Sequence, residues 1–229
     1  MANRFLSLLI PLVLLILAQP LVAQGTLPGY FTKLLTLLAI LGAYRILRPH
    51  RKLAWASGIL FLVAVVAVPV DGAFAIWQAP LIGGLASVAA LITITLVITW
   101  EAVYEQWVTR DTLFGALAVY LLIGVTSTVL YELIEVSAPG SFSNLQGLRP
   151  SQVFAELNYF SLVTLTTLGY GDIAPVAPIA RMLAAAEAIV GQFFVAAVVG
   201  ILISRGSAQR FSARGRDSKA ANLSNASQD

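Results

Sequence analysis

The chain has 229 residues, of which 59% are hydrophobic and 11% charged, and its mean hydropathy is +0.86. Because a soluble domain carries about 25% charged residues, this composition excludes an ordinary soluble domain and predicts an all-α membrane protein with several spans. The lack of cysteine excludes disulfides and thiolate metal sites, and the net charge of +3 suits the cytoplasmic surface of a membrane better than a nucleic-acid partner.

The first apolar segment, residues 5–23, fits either a retained span or a cleaved signal peptide. Arg4 gives it a short basic start, and Leu21-Val22-Ala23 lies where a cleavage site would fall. Leu21 occupies a position at which a small residue is preferred. We therefore favour a retained span and keep the signal peptide as the alternative.

Six transmembrane helices are predicted, with a re-entrant pore helix and loop between the fifth and the sixth. After the first span come residues 30–47, 53–70, part of 79–100, 113–134, the pore helix at 153–165 and the last span at 179–204. The tail is rich in Ser, Ala, Asn and Arg without apolar periodicity, so we expect it to be disordered. The expected regions are four transmembrane helices in 1–110, a pore domain in 111–204 and the tail in 205–229.

The loop before the last span reads T-L-T-T-L-G-Y-G-D, residues 164–172. Gly169 and Gly171 flank Tyr170, and glycine tolerates positive φ at little steric cost. This alternation allows a backbone in which consecutive carbonyls turn the same way and replace the water shell of a dehydrated cation. Irregular backbone at membrane depth is tolerated where it lines a water-filled path. The residues therefore predict an ion filter.

The run T-T-L-G-Y-G-D, residues 166–172, resembles the signature T-T-V-G-Y-G-D of tetrameric potassium channels. Leu168 stands where valine or isoleucine is usual, and the resemblance extends over roughly residues 150–205. It implies a selectivity filter made of Thr167, Leu168, Gly169, Tyr170, Gly171 and Asp172. It also implies potassium ligands at Thr167, Leu168, Gly169 and Tyr170. One G-Y-G per chain is a quarter of a ring, so we expect a homotetramer.

Residues of the pore helix and the last span are expected to support the filter. In the family, aromatic side chains at this place form a cuff, so Tyr159 and Phe160 are expected to face Tyr170; ordinary interfacial aromatics are the alternative. Tyr159 or Thr164 is the expected hydrogen-bond partner of the Tyr170 hydroxyl.

Glu187 is the carboxylate deep in the last span, and such a residue is a functional candidate. We expect it behind the filter, where it is protonated or bonded to pore-helix hydroxyls, such as those of Thr164 or Thr166, and braces the filter. A position beside a wet crevice is the alternative.

The last span also carries candidate gating residues. Gly191 lies twenty residues after Gly171, where family members often have a glycine at which the inner helix bends; close helix packing is the alternative. A stripe at helical spacing is expected, by resemblance, to line the cavity, with a constriction near its last member. The stripe consists of Gln192, Val195, Val199 and Ile203.

The basic residues predict the orientation. Arg4, the loop at 45–52, Arg110 and the tail hold eleven of the fourteen Lys and Arg residues. By the positive-inside rule both termini face the cytoplasm of a cell membrane and the filter loop faces outward. Residues 53–109 contain no Lys or Arg, so we predict no arginine-rich voltage sensor. The first four spans are expected to pack around the pore or to bind lipid or an unidentified gating partner, and the gating stimulus stays open.

Passive potassium-selective conduction is the leading prediction for function. A weakly selective cation channel is an alternative because of Leu168, and a subunit of a potassium transporter is an alternative from another class. The sequence contains no metal cluster, nucleophile constellation or phosphate loop, so we do not expect an enzyme. We expect no cofactor apart from the permeant potassium ion.

Overall fold

The computed structural model describes residues 4–27, 30–47, 53, 55–60, 62, 79–104 and 109–226, and the regular structure in these ranges is helical. Its helices are α1 (Leu6–Ala23), α2 (Tyr30–Leu47), α3 (Ala79–Tyr104), α4 (Arg110–Ser137), α5 (Pro150–Leu165) and α6 (Pro178–Ala226). Residues 55–60 are also helical. Within the described ranges, an isolated antiparallel β-bridge joins Phe142 and Pro175.

Four of the described helices are long and apolar enough to cross a membrane: they contain the stretches Leu6–Ala23, Leu81–Glu101, Arg110–Ser137 and Pro178–Val198. A shorter apolar helix covers Leu34–Leu47. The predicted third span, 53–70, lies largely outside the described residues. The helical membrane architecture is therefore confirmed, while the count of six spans stays a prediction.

The helices of the pore region begin at recognisable sequence signals. Thr109 and Thr112 form a capping box at the start of α4, with the Thr112 amide donating to Thr109 Oγ1 at 3.2 Å. Proline occupies the first position of α5 and of α6, where its missing N–H is harmless and its fixed φ suits a helix.

Helix α6 continues to Ala226, beyond the predicted end of the last span at residue 204. The segment 205–226 contains no proline and is rich in alanine and arginine, which have high helix propensity. Gly206 and Gly215 each weaken a helix by about 1 kcal/mol but do not interrupt its hydrogen bonds. Low hydropathy in this segment therefore marks the end of the apolar span and not the end of the helix.

Two buried clusters organise the described residues. The first joins α1, α2, α3 and the first half of α4 through Phe5, Leu8, Leu12, Ile46, Ile98, Val119 and Leu122. The second joins the end of α4, α5 and the start of α6 through Tyr131, Phe142, Leu145, Leu157, Phe160 and Ile173. Helix α1 packs directly on α4 and α5, so the first helix shares a core with the pore region.

Candidate functional site

The loop from Thr166 to Asp172, which we call the filter loop, has an alternating backbone. The angle φ is positive at Thr167 (58°), Gly169 (59°) and Gly171 (78°) and at neither residue between them. Both glycines therefore adopt the conformation that their type permits. Thr167 is a β-branched residue for which positive φ is a genuine outlier, and such strain is characteristic of functional sites.

Hydrogen bonds fix the direction of the loop's peptide groups. The amides of Leu168 and Gly169 donate to the carbonyl of Val163 at 2.9 and 3.3 Å, and the amide of Thr167 donates to Thr164 at 2.9 Å. In a trans peptide the C=O points opposite to the N–H of the next residue. The carbonyls of Thr167 and Leu168 therefore point away from the pore helix α5, as a row of cation ligands requires.

The side chains of the two threonines have different partners. Thr166 Oγ1 donates to the carbonyl of Leu162 at 2.7 Å, within α5. Thr167 Oγ1 donates to the carbonyl of Thr166 at 2.7 Å and accepts from Gln192 Nε2 at 3.0 Å. Gln192, predicted to line the cavity, thus contacts the filter loop itself.

Glu187 lies behind the pore helix, buried to 5% exposure. Its carboxyl group is hydrogen-bonded to the hydroxyl of Tyr131 on α4 and to Ser161 Oγ on α5, the latter at 2.6 Å, and Ser127 is a further hydrogen-bond partner. Its partner on α5 is therefore a pore-helix hydroxyl, as predicted, but it is Ser161 and not one of the two examples named, Thr164 and Thr166. Ser161 shares a helix face with the buried Leu165, four residues later, and that face meets α6.

Phe160 packs on the outer helix α4 and on the loop before α5, which corrects its expected position in a cuff around Tyr170. Its ring centroid lies 5.2 Å from that of Tyr131 and 5.4 Å from that of Phe142, in edge-to-face geometry. The Tyr131 and Phe142 rings are themselves 5.3 Å apart. This aromatic triad links α4, the loop and the pore helix.

Tyr159 holds the outer end of the filter loop, but not through Tyr170. Its hydroxyl donates to Asp172 Oδ2 at 2.8 Å, and this hydrogen bond to the carboxylate raises the pKa of Tyr159 to about 12. Asn144, on the loop at residues 138–149 that we call the turret loop, donates to the main-chain carbonyl of Asp172 at 2.6 Å. The Tyr170 side chain is 66% exposed in the single chain. The Tyr159 hydroxyl thus uses its proton for Asp172, and the partner of the Tyr170 hydroxyl stays a prediction.

Gly191 lies against the end of the pore helix. A Cβ atom built at this glycine would sit 2.4 Å from the carbonyl oxygen of Leu165. This geometry favours close packing over a hinge as the reason for a glycine here. Further along α6, Gln192, Val195 and Ile203 are exposed in the single chain, and the side chain of Val199 lies outside what the structure describes.

Several contacts of the site were not predicted from the sequence. Ser161, Tyr131, Phe142 and Asn144 contact the filter's supports from distant parts of the chain. For Ser161 and Tyr131, the sequence signal was a hydroxyl-bearing side chain within an apolar helix, because a buried hydroxyl needs a hydrogen-bond partner. Asn144 carries positive φ, 63°, and Asn is among the residues that tolerate it.

Comparisons with known proteins match the same part of the chain. A family model described as "Ion channel" matches residues 118–207. The "Two pore potassium channel c" of Oryza sativa subsp. japonica is 34% identical over 91 residues, which cover 40% of this chain and 18% of that protein. No solved structure matches the chain significantly. The matched region contains most of α4, the pore helix, the filter loop and the apolar part of α6, and it is similar to ion channels and to this potassium channel.

Proposed function

We propose that the protein is a potassium-selective channel that conducts passively through a homotetrameric filter. The observation that carries the proposal is the backbone of the filter loop. The angle φ is positive at Thr167, Gly169 and Gly171 and negative at the residues between them. The amides of Leu168 and Gly169 donate to the carbonyl of Val163. This arrangement leaves carbonyl oxygens free to bind a dehydrated monovalent cation.

The ligands of the ion are the carbonyls of Leu168, Gly169 and Tyr170 together with the carbonyl and hydroxyl of Thr167. Potassium is the permeant ligand, and no resident cofactor takes part. The pore helix ends at Leu165, immediately before these ligands. The negative end of its dipole therefore favours a cation at the inner side of the loop.

A homotetramer follows from the single filter loop in each chain, since a cation inside a ring of carbonyls needs ligands from several sides. Apolar side chains around the loop support this proposal because they are exposed in the single chain. Leu168 is 56% exposed, Met182 69% and Phe193 72%. Large apolar side chains exposed in this way are characteristic of an interface or of contact with lipid.

The contacts of α1 support an orientation with both termini in the cytoplasm of the cell membrane. Its first turn lies beside the start of α4, where Asp111 accepts from the amides of Arg4 and Phe5. Its last turn lies beside the start of the pore helix, where Arg149 donates to the carbonyl of Ala23 at 2.8 Å. Helix α1 and the outer helix α4 therefore start on one side, together with the basic Arg4 and Arg110.

A potassium flux assay in proteoliposomes tests the function. Wild-type protein is expected to carry potassium down its gradient, and Gly169→Ala is expected to stop the flux because alanine is strained at φ 59°. Vesicles with wild-type protein that stay impermeable to potassium would contradict the proposal.

Weak selectivity is the second candidate, and Leu168 favours it because this residue departs from the family's usual valine or isoleucine. Reversal potentials in mixed potassium and sodium separate the two candidates: a selective filter follows the potassium gradient. Uptake of potassium against its gradient would instead identify a subunit of a transporter.

A further inference from the structure

The close approach of Gly191 to the pore helix determines where the next residue of α6 lies. Only glycine fits at position 191, because a Cβ there would lie 2.4 Å from the carbonyl oxygen of Leu165. Tyr120 donates to that same carbonyl at 3.0 Å. The inner helix therefore contacts the backbone immediately before the filter loop. As a result, Gln192 lies beside the filter loop. If Gly191 served only as a hinge, Gln192 would face the cavity without contacting the loop.

The amide of Gln192 and the carbonyl of Thr166 together fix the hydroxyl of Thr167. Gln192 Nε2 donates to Thr167 Oγ1 at 3.0 Å, and Oγ1 donates its single proton to Thr166 at 2.7 Å. A hydroxyl oxygen has one proton and two lone pairs. One lone pair of Thr167 Oγ1 is thus left for a further ligand, and its direction is set by the other two contacts.

We propose that Gln192 is a positioning residue for the innermost cation site, holding the Thr167 hydroxyl with its free lone pair toward a dehydrated cation. The inference rests on the proposed function, because this site binds an ion only if the loop is a filter. It differs from pore lining, in which the Gln192 amide would act on the ion through cavity polarity alone.

Barium is the probe, since it is a divalent cation close in size to potassium and binds oxygen ligands. Gln192→Met keeps the length of the side chain and removes the amide. We expect barium affinity to fall about tenfold, the change for loss of one hydrogen bond. In a Thr167→Val background the same substitution should have no effect, because the hydroxyl it positions is gone.

Val195→Gln provides the matched control. Added to Gln192→Met, it returns an amide to the same helix three residues further along, out of contact with Thr167, and should leave barium affinity low. Restored affinity would show that cavity polarity is sufficient and would overturn the inference. Affinity within about twofold of wild type in Gln192→Met, or an effect that persists with Thr167→Val, would overturn it as well.

Calorimetric titration of barium into the detergent-solubilised protein measures the affinity without requiring conduction, and gel filtration confirms that each variant keeps the wild-type assembly. Absence of potassium flux in the wild type then counts against the proposed function. Unchanged barium affinity in Gln192→Met, or a wild type that binds no barium, counts against the role of Gln192.

Discussion

Ser161 of the pore helix and Glu187 of the inner helix face each other in a buried pair, with 2.6 Å between Ser161 Oγ and Glu187 Oε1. Ser161 Oγ also lies 2.8 Å from the carbonyl of Gly124, although a hydroxyl has only one proton to donate. A protonated Glu187 satisfies Ser161 and Gly124 together, because its O–H donates to Ser161 and frees the serine proton for Gly124. Tyr131 then donates to the other carboxyl oxygen.

Substitutions of Glu187 separate its shape from its charge. Glu187→Gln is expected to keep fold and potassium flux, because its amide donates to Ser161 and accepts from Tyr131. Glu187→Ala is expected to lower the free energy of unfolding by about 1–3 kcal/mol, since the buried Tyr131 hydroxyl loses its acceptor while Ser161 keeps the carbonyl of Gly124. Thermal unfolding in detergent measures the difference.

Glu156→Gln, on the exposed face of the pore helix, is the control for loss of a carboxylate and should match the wild type. Equal damage from Glu187→Gln and Glu187→Ala would contradict the neutral pair. It would show that the network requires an ionised carboxylate.

The hydrogen bond from Tyr159 to Asp172 has a defined pH range. The protonated hydroxyl is the donor, and the contact raises the pKa of Tyr159 from 10.0 to about 12. Its stabilising effect is therefore complete below about pH 10 and is lost as the pH rises through about 12. We expect the rate of current loss in sustained recordings to be flat, with respect to this contact, between pH 7 and 10.

Tyr159→Phe removes the donor and is expected to speed current loss at every pH in that range. Tyr44→Phe, at an exposed position on α2, is the control for loss of a phenol. If Tyr159→Phe channels lose current at the wild-type rate, the contact with Asp172 does not hold the filter open.

The sequence predicted those features of the pore that depend on neighbouring residues. Apolar length located the helices, and the glycines at 169 and 171 predicted positive φ because glycine is the residue that accepts it freely. The positive φ of Thr167 was not predictable, because strain at a β-branched residue persists only where surrounding contacts enforce it. One contact of Thr167 comes from Gln192, twenty-five residues later.

Partners that come from distant segments were the main source of error. Phe160 was expected to face Tyr170 and instead packs on Tyr131 and Phe142. The pore-helix hydroxyl that binds Glu187 is Ser161, whereas Thr164 and Thr166 were the examples named. In each case the choice depends on which helix face meets which neighbour. A single sequence fixes the face only approximately.

Asn144 fastens the turret loop to the end of the filter loop, and three substitutions test the contact. Asn144→Gly keeps the positive φ of 63° and loses only the bond to the Asp172 carbonyl. Asn144→Ala also adds backbone strain of about 1–2 kcal/mol. Asn144→Asp replaces the donor with an acceptor that faces the carbonyl, so it should speed current loss most.

The expected order of current loss is thus wild type slowest, then Asn144→Gly, then Asn144→Ala, then Asn144→Asp, measured in bilayers with low external potassium. Gln146→Gly, at an exposed position of the same loop, should match the wild type. An Asn144→Gly channel that behaves like the wild type would show that the side-chain contact is dispensable.

Phe5 anchors α1 in a notch of the outer helix formed by Gly115. A Cβ at Gly115 would lie 3.1–3.2 Å from the Phe5 ring, which is fully buried. Phe5→Ala is expected to cost about 3–5 kcal/mol of unfolding free energy. Gly115→Ala should cost less, because the ring needs to shift only slightly.

The double variant Phe5→Leu/Gly115→Ala tests whether these two residues act as a pair. Leucine makes room for the added methyl group, so the combined loss of stability should be smaller than the sum of the single losses. Strict additivity in thermal unfolding would contradict the notch.

Gly191 and Gly200 distinguish packing from bending in the inner helix. Alanine favours a helix over glycine by about 1 kcal/mol at either position, so a role in bending predicts that both substitutions alter gating and spare the fold. A role in packing predicts that the two substitutions differ. A Cβ at Gly191 meets the Leu165 carbonyl at 2.4 Å, whereas a Cβ at Gly200 meets no heavy atom within 4 Å. We therefore expect Gly191→Ala to lower thermal stability and barium affinity together, as α6 moves away from the filter loop, and Gly200→Ala to leave both unchanged. A stable Gly191→Ala protein with wild-type barium affinity and altered opening would instead establish the hinge.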